Sequence, residues 1–265
     1  MPTKFLDLGD DRVLRCLYSG TTTLPDMPPP LARGTALLFV AGAGGSAPHF
    51  APQLAHFAAA HSPLALDLPG HGRSTGLAGP ATIEDAAAVV LRALGHLAAP
   101  PAVVVGHGLG GLIALAAALA APARVRAVVT IGTGRRCAMP EVELEKLAAV
   151  TSGLRGQFFD TPYFAKGTAP EVMRAFFGAL VQTDPRVRLQ DMRLQSDAEI
   201  FARLGTLDVP VRVVRGAEDR LLSAASADDL AVAVGTTVDT VERAGHVAQM
   251  ENPDAVNAIL EEVCA

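Results

Sequence analysis

Residues 101–120 read PAVVVGHGLGGLIALAAALA, and the fold turns on how they are read. A β-branched run, Val103-Val104-Val105, ends in Gly106-His107-Gly108-Leu109-Gly110 and passes directly into an Ala/Leu-rich segment. β-Branched residues favour strands, alanine and leucine favour helices, and the glycines between them mark a sharp strand-to-helix turn. That is the layout of a nucleophile elbow, G-x-S-x-G, in which the turn lifts one reactive side chain clear of the sheet. Here the tip position is Gly108, which carries no side chain.

The alternation continues on both sides of this turn. TALLFV (35–40), SPLALDL (62–68), AVVV (102–105) and VRAVVTI (125–131) are apolar runs expected as buried strands. Between them, HFAPQLAHFAAA (49–60), IEDAAAVVLRALGHL (83–97, capped by Thr82) and GLIALAAALA (111–120) are expected as helices. Continuous apolar strands separated by helices indicate a mostly parallel, doubly wound α/β sheet covered on both faces. Ahead of it, Lys4–Leu8 and Arg12–Tyr18 alternate as antiparallel strands do, and the prolines of TTTLPDMPPPLARG (21–34) make that stretch an extended surface loop.

After Ile131 the rhythm changes. From Arg135 to Leu207 the pattern is helical and broken by Pro140, Pro162, Pro170 and Pro185. Phe158, Phe159, Tyr163, Phe164, Phe176 and Phe177 concentrate there, in a chain with only 5% aromatic residues. Strand and helix patterns resume with VPVRVVRGAED (209–219), a helix over Ser223–Leu230, TTVDTV (236–241) and PDAVNAILEEV (253–263). The expected organisation is an α/β core of residues 1–134 and 208–265, interrupted by a helical cap over residues 135–207.

Composition narrows the classes of function. A chain of 265 residues, half of them hydrophobic and 18% charged, buries a large core and has no reason to be disordered. A net charge of −5 provides no basic stripe for nucleic acid. Cys16, Cys137 and Cys264 are scattered, with no C-x-x-C, which fits a reducing compartment and not a metal site. The first residues alternate charged and apolar types and lack the apolar core of a signal peptide, and the most apolar stretch, 111–121, is too short to span a bilayer. A cytoplasmic protein without a membrane partner is expected, with its oligomeric state left open.

Four short segments lie where strands end, which is where open parallel sheets bind ligands. They are FVAGAGGSAPHF (39–50), DLPGHGRS (67–74), the elbow, and a pair formed by RGAEDRLLS (215–223) and ERAGHVAQMENPDAV (242–256). The glycines of the first, Gly42 among them, let the backbone approach a ligand closely. In the last pair, Asp219 and His246 follow neighbouring strands, and such a carboxylate fixes an imidazole's tautomer and stabilises its protonated form. His49, His61, His71 and His96 are expected to be solvated or structural, with His71 shaping a loop near the pocket. The G-x-G-x-G lacks the acidic residue and spacing of a dinucleotide site, so no nucleotide, flavin or metal cofactor is implied.

With these motifs in their order, the chain resembles the α/β-hydrolase superfamily, in the capped small-molecule branch of enol-lactonases, carboxylesterases and C–C-bond hydrolases. The resemblance covers nearly the whole chain. It implies Asp219 as the triad acid, His246 as the base, and the backbone amides of Ala43 and Leu109 as oxyanion donors. It also implies that residues 135–207 form a cap that carries substrate choice over a small-molecule pocket. Within it, phenylalanines such as Phe158 and Phe159 either meet an apolar ligand or pack the cap onto the core, and Arg135 and Arg136 either meet a substrate carboxylate or stay solvated. The chain departs from the pattern with Ala41-Gly42 where His-Gly is usual, and with Gly108 where Ser, Cys or Asp is expected.

Glycine adopts the strained elbow conformation without a penalty, so the turn is expected to survive the loss of the hydroxyl. His107, beside the tip, is the nearest side chain for a substitute role, ahead of Ser46, Thr133 and Cys137. Three readings follow. The protein is a hydrolase of a small ester, lactone or ketone whose serine has been lost or replaced. Alternatively, His246 and Asp219 act without a nucleophile, by direct water attack or in lyase or cyclase chemistry. In the third, the pocket only binds a small molecule.

Overall fold

The computed structural model describes residues 1–9, 13–24, 27–76, 78–135, 141–157, 162–195 and 199–265. Two short strands, β1 (Thr3–Asp7) and β2 (Val13–Tyr18), lead into β3 (Ala36–Val40), α1 (Ala51–Phe57), β4 (Ser62–Leu66) and α2 (Ile83–His96). β5 (Ala102–His107), α3 (Leu109–Ala120) and β6 (Val125–Ile131) follow. Three helices come next, α4 (Glu141–Thr151), α5 (Pro170–Leu180) and α6 (Pro185–Leu194). The chain then returns through β7 (Val211–Gly216), α7 (Ala224–Ala233), β8 (Val238–Val241), α8 (Ala248–Glu251) and α9 (Pro253–Cys264).

The described strands form one eight-stranded sheet in the order β1-β2-β4-β3-β5-β6-β7-β8. β1 and β2 pair antiparallel, β2 pairs antiparallel with β4, and every later neighbour is parallel. Alternate residues of a strand face opposite sides of a sheet, and here both sides are apolar. Leu38 and Val104 join the layer under α2 and α3, whereas Leu37, Phe39, Val103 and Val105 join the layer with Phe57 of α1 and Leu260 of α9. The edge strand β1 alternates exposed and buried, which is why its sequence alternates where β3 and β5 are continuous. This is the α/β-hydrolase fold.

Thr82 caps α2 as its sequence predicts, accepting the Asp85 N–H at 3.0 Å. α3 begins two residues before the expected GLIALAAALA segment, because Leu109 and Gly110 are themselves helical. The segment between β6 and β7 carries α4, α5 and α6, with irregular stretches between them where described. Its Tyr163, Phe164 and Phe176 cluster with Leu221, Val247 and Met250, so it sits on the loops that follow β7 and β8. Its last piece, a 3-10 helix over Glu199–Thr206, instead puts Ile200 and Leu204 into the sheet's own core. Among the described residues no helix is long and apolar enough to cross a membrane.

Candidate active site

The elbow is held by close backbone packing. A Cβ on Gly106 would stand 2.1 Å from the Gly110 carbonyl oxygen, and one on Gly110 would stand 2.2 Å from that of Val40. Only glycine lets β5, α3 and β3 approach this closely. At the tip, Gly108 has φ 52° and ψ −118°. Its N–H donates to the Ile131 carbonyl at 2.9 Å, and its carbonyl accepts the Thr133 hydroxyl at 2.9 Å. Thr133 is therefore a brace for the turn, the plainer of the roles its position allowed.

The space at the tip differs from that at the other elbow glycines. A Cβ on Gly108 would have as its nearest neighbours Gly42 Cα at 3.8 Å, His246 Nε2 at 3.8 Å and Gln195 Oε1 at 3.9 Å. These are ordinary van der Waals separations. The site has room for a side chain and an imidazole nitrogen aimed at it.

That imidazole is supported in turn. Asp219, in the turn after β7, receives the Leu221 and Leu222 N–H groups on Oδ1 at 2.8 and 2.9 Å. Its Oδ2 lies 2.9 Å from His246 Nδ1, with both residues buried. Burial, the largest influence on Asp219, works to raise its pKa. The charge and hydrogen bond of His246, with the two amides, outweigh burial and hold the carboxyl below its ordinary value. An ionised carboxylate at Nδ1 assigns the proton to that nitrogen and leaves the Nε2 lone pair facing Gly108.

A small, partly enclosed pocket lies over the tip. Among the residues expected in the site, Gly42, Ala43, His107, Gly108 and His246 all line it. Leu109 opens α3, so its N–H has no acceptor within the helix. Arg135 is exposed, is not part of the cavity wall, and gives its N–H to the Ser226 carbonyl at 3.2 Å. Arg136, Cys137, Phe158 and Phe159 lie outside the described residues.

The wall also contains Tyr163 and Phe176, two of the aromatics concentrated in the helical segment, and Met192, Gln195 and Leu221, which the sequence did not single out. His49 lines it too and is buried, not solvated. Its ring stacks on Phe176 with centroids 4.6 Å apart, and its Nε2 donates to the Phe176 carbonyl at 3.0 Å. Burial drives its pKa down to about 4 against a weaker opposing effect of that hydrogen bond, so it stays neutral at pH 7. Burial does the same to His107, whose Nε2 donates to the His246 carbonyl at 3.1 Å. A histidine's position in sequence gives no sign of how dry its surroundings are.

Among the hydrogen bonds that tie the helical segment to the core, three sets lie closest to the site. His246 N–H donates to the Tyr163 carbonyl at 2.8 Å. Glu251 accepts the Ala165 N–H and Thr168 hydroxyl on Oε1 at 2.7 and 2.6 Å, and the Gly245 N–H on Oε2 at 2.9 Å. On the other side, Asp191 of α6 accepts the Gly44 N–H at 2.7 Å and meets His71 Nε2 at 2.6 Å. Burial, the largest influence on His71, lowers its pKa, but Asp191 and the Pro69 carbonyl carry it above the ordinary value. In the DLPGHGRS segment, Asp67 is structural: it accepts the Ala47 and Arg73 N–H groups at 2.7 and 2.9 Å and pairs with Arg15 at 3.2 Å. Among the described residues no three His, Cys, Asp or Glu side chains are grouped to hold a metal ion.

Comparison with known proteins gives a consistent result. Residues 37–259 match the model of the alpha/beta hydrolase family. A 3-oxoadipate enol-lactonase from Acinetobacter baylyi is 25% identical over 236 residues, spanning 86% of this chain and 88% of that protein. A pimeloyl-[acyl-carrier protein] methyl ester esterase from Stenotrophomonas maltophilia is 30% identical over 249 residues, spanning 88% of this chain and 94% of that one. The crystal structure of the enol-lactonase from Burkholderia xenovorans superposes with a TM-score of 0.83 over 99% of both chains at 22% identity, a likeness of fold.

Proposed function

The chain belongs to the alpha/beta hydrolase family, and from that premise we propose that it hydrolyses a small ester or lactone by direct attack of water, with His246 as general base. One observation carries this reading. His246 Nε2 stands 3.8 Å from the place a Cβ on residue 108 would take, so the bare tip leaves room for a water within reach of the base. His246 takes a proton from that water as its oxygen adds to the substrate carbonyl. The amides of Ala43 and Leu109 receive the resulting oxyanion. The proton on Nε2 then passes to the leaving oxygen as the acyl C–O bond breaks, giving an acid and an alcohol. Asp219 stays ionised and stabilises the imidazolium in between. The helical segment 135–207 serves as the cap that holds the substrate over the turn.

A second reading rests on the same open space. A Cβ at 108 would meet no atom closer than ordinary contact, so a covalent route lies one substitution away, at the cost of a side chain at positive φ. The test uses 4-nitrophenyl acetate and short lactones. The water route expects slow steady turnover by the wild type without a burst, abolished by His246→Ala. Turnover that survives His246→Ala overturns it. Wild type inert toward every ester and lactone, with a burst appearing in Gly108→Ser, establishes instead a hydrolase that has lost its nucleophile.

A further inference from the structure

Arg188, on α6, is only 4% exposed, yet among the described residues no carboxylate lies within ion-pair distance of its guanidinium. Its stem runs against the glycine turn, where a Cβ on Gly44 would stand 2.7 Å from Arg188 Cγ. Its Nε is buried without a hydrogen-bond partner. Its Nη2 donates to the Tyr163 phenol oxygen at 3.3 Å. The acid on the same helix, Asp191, gives Oδ2 to His71 and to the Gly44 amide, while its Oδ1 is buried without a hydrogen-bond partner and lies outside ion-pair distance of Arg188. A guanidinium stays protonated in any protein, and a cation buried without a counter-charge is costly unless something else supplies one.

Tyr163 transmits this charge into the cavity. Its ring lines the cavity wall and lies 6.1 Å, centroid to centroid, from that of His246. The phenol oxygen already accepts from Arg188, so the phenol hydrogen is left to donate, strengthened by the cation behind it. The cation stands behind the phenol, and Tyr163 is the member of the pair that shares the cavity wall with His246.

We propose that the Arg188–Tyr163 pair is an anion subsite, and that the substrate carries a carboxylate on the part of the molecule remote from the bond that breaks. The proposal rests on the hydrolytic reading above for the identity of the reacting group, but the recognition of charge is independent of turnover. The carboxylate accepts the phenol hydrogen and neutralises the guanidinium. It thereby fixes the length of chain between the anion and the carbonyl presented to His246.

Binding calorimetry at pH 7 tests this without requiring any reaction. The probes are methyl hydrogen glutarate, a monoanion, and dimethyl glutarate, its neutral counterpart. The wild type is expected to bind the monoanion at least tenfold more tightly. Arg188→Gln is expected to erase that preference while leaving the affinity for the diester within threefold, and Arg188→Lys to retain part of it. If Arg188→Gln does not fold, Tyr163→Phe gives the same readout, with the preference reduced at least threefold. Equal affinities in the wild type, or a preference unchanged in Arg188→Gln or in Tyr163→Phe, overturn the proposal. A preference that holds in a protein whose turnover ignores His246 overturns the hydrolytic reading alone.

Discussion

The His71 imidazole and the Asp191 carboxylate meet at 2.6 Å with side-chain exposures of 2% and 1%, joining the loop after β4 to helix α6. Because the same Asp191 oxygen also accepts the Gly44 N–H, one carboxylate fixes both α6 and the glycine turn after β3, whose Ala43 amide the proposed reaction uses. Asp191→Ala strands a cation and an amide in the interior. It is expected to cost about 3–5 kcal/mol in urea unfolding. A loss below about 1 kcal/mol would show that the brace is not structural.

Two buried histidines should give stability opposite pH dependences. The folded pKa of His71 is raised, so its contribution is complete below the unfolded value near 6.5 and is lost as pH rises through the folded value. The gap in stability between wild type and His71→Gln is therefore widest in acid and narrows toward alkaline pH. His49 is depressed from 6.5 to about 4, so stability is present above 6.5 and is lost as pH falls toward 4. That shift is worth roughly 3 kcal/mol. Equilibrium unfolding of His49→Gln between pH 7 and 4 should show a flatter acid limb than wild type. Parallel curves for the two proteins would contradict the assignment.

Asp219→Asn keeps a hydrogen-bonding group beside His246 but removes the charge that sets its tautomer. The expected loss is in kcat, by up to about 10⁴-fold, with KM little changed. A variant within threefold of wild type would remove Asp219 from the reaction.

Glycine substitutions should divide according to the space around them. Gly106→Ala drives a methyl group into the Gly110 backbone and should prevent soluble expression, whereas Gly178, on α5, has no neighbour within 4 Å of a Cβ. Gly178→Ala should stabilise the protein by up to about 1 kcal/mol, seen as a raised Tm. Gly108→Ser has the room but not the backbone, since φ there is 52°. It should lower stability by about 1–3 kcal/mol even where it adds a burst.

The parts of this molecule set by local chemistry were legible in the sequence. The parallel strands announced themselves as apolar runs because both faces of β3 to β6 are covered, and VRAVVTI coincides with β6 residue for residue. Asp219 and His246 were legible because each stands just past a strand, where a doubly wound sheet places its ligand groups. Gln195, Tyr163 and Arg188 were not. They lie on a helical segment whose placement over the sheet is decided by long-range packing, and nothing in a local pattern tells which face of such a helix looks into a cavity. Arg135 stayed undecided for the same reason: it follows β6 in sequence, and only the fold shows its side chain exposed to solvent.

The backbone of His246 is anchored to the Tyr163 carbonyl, and Glu251 ties residues 165 and 168 to Gly245. A gate that swung open on this side would drag the imidazole out of alignment as it moved. Placement of residues 163–168 and placement of the base are thus one mechanical problem, since the same few hydrogen bonds hold both.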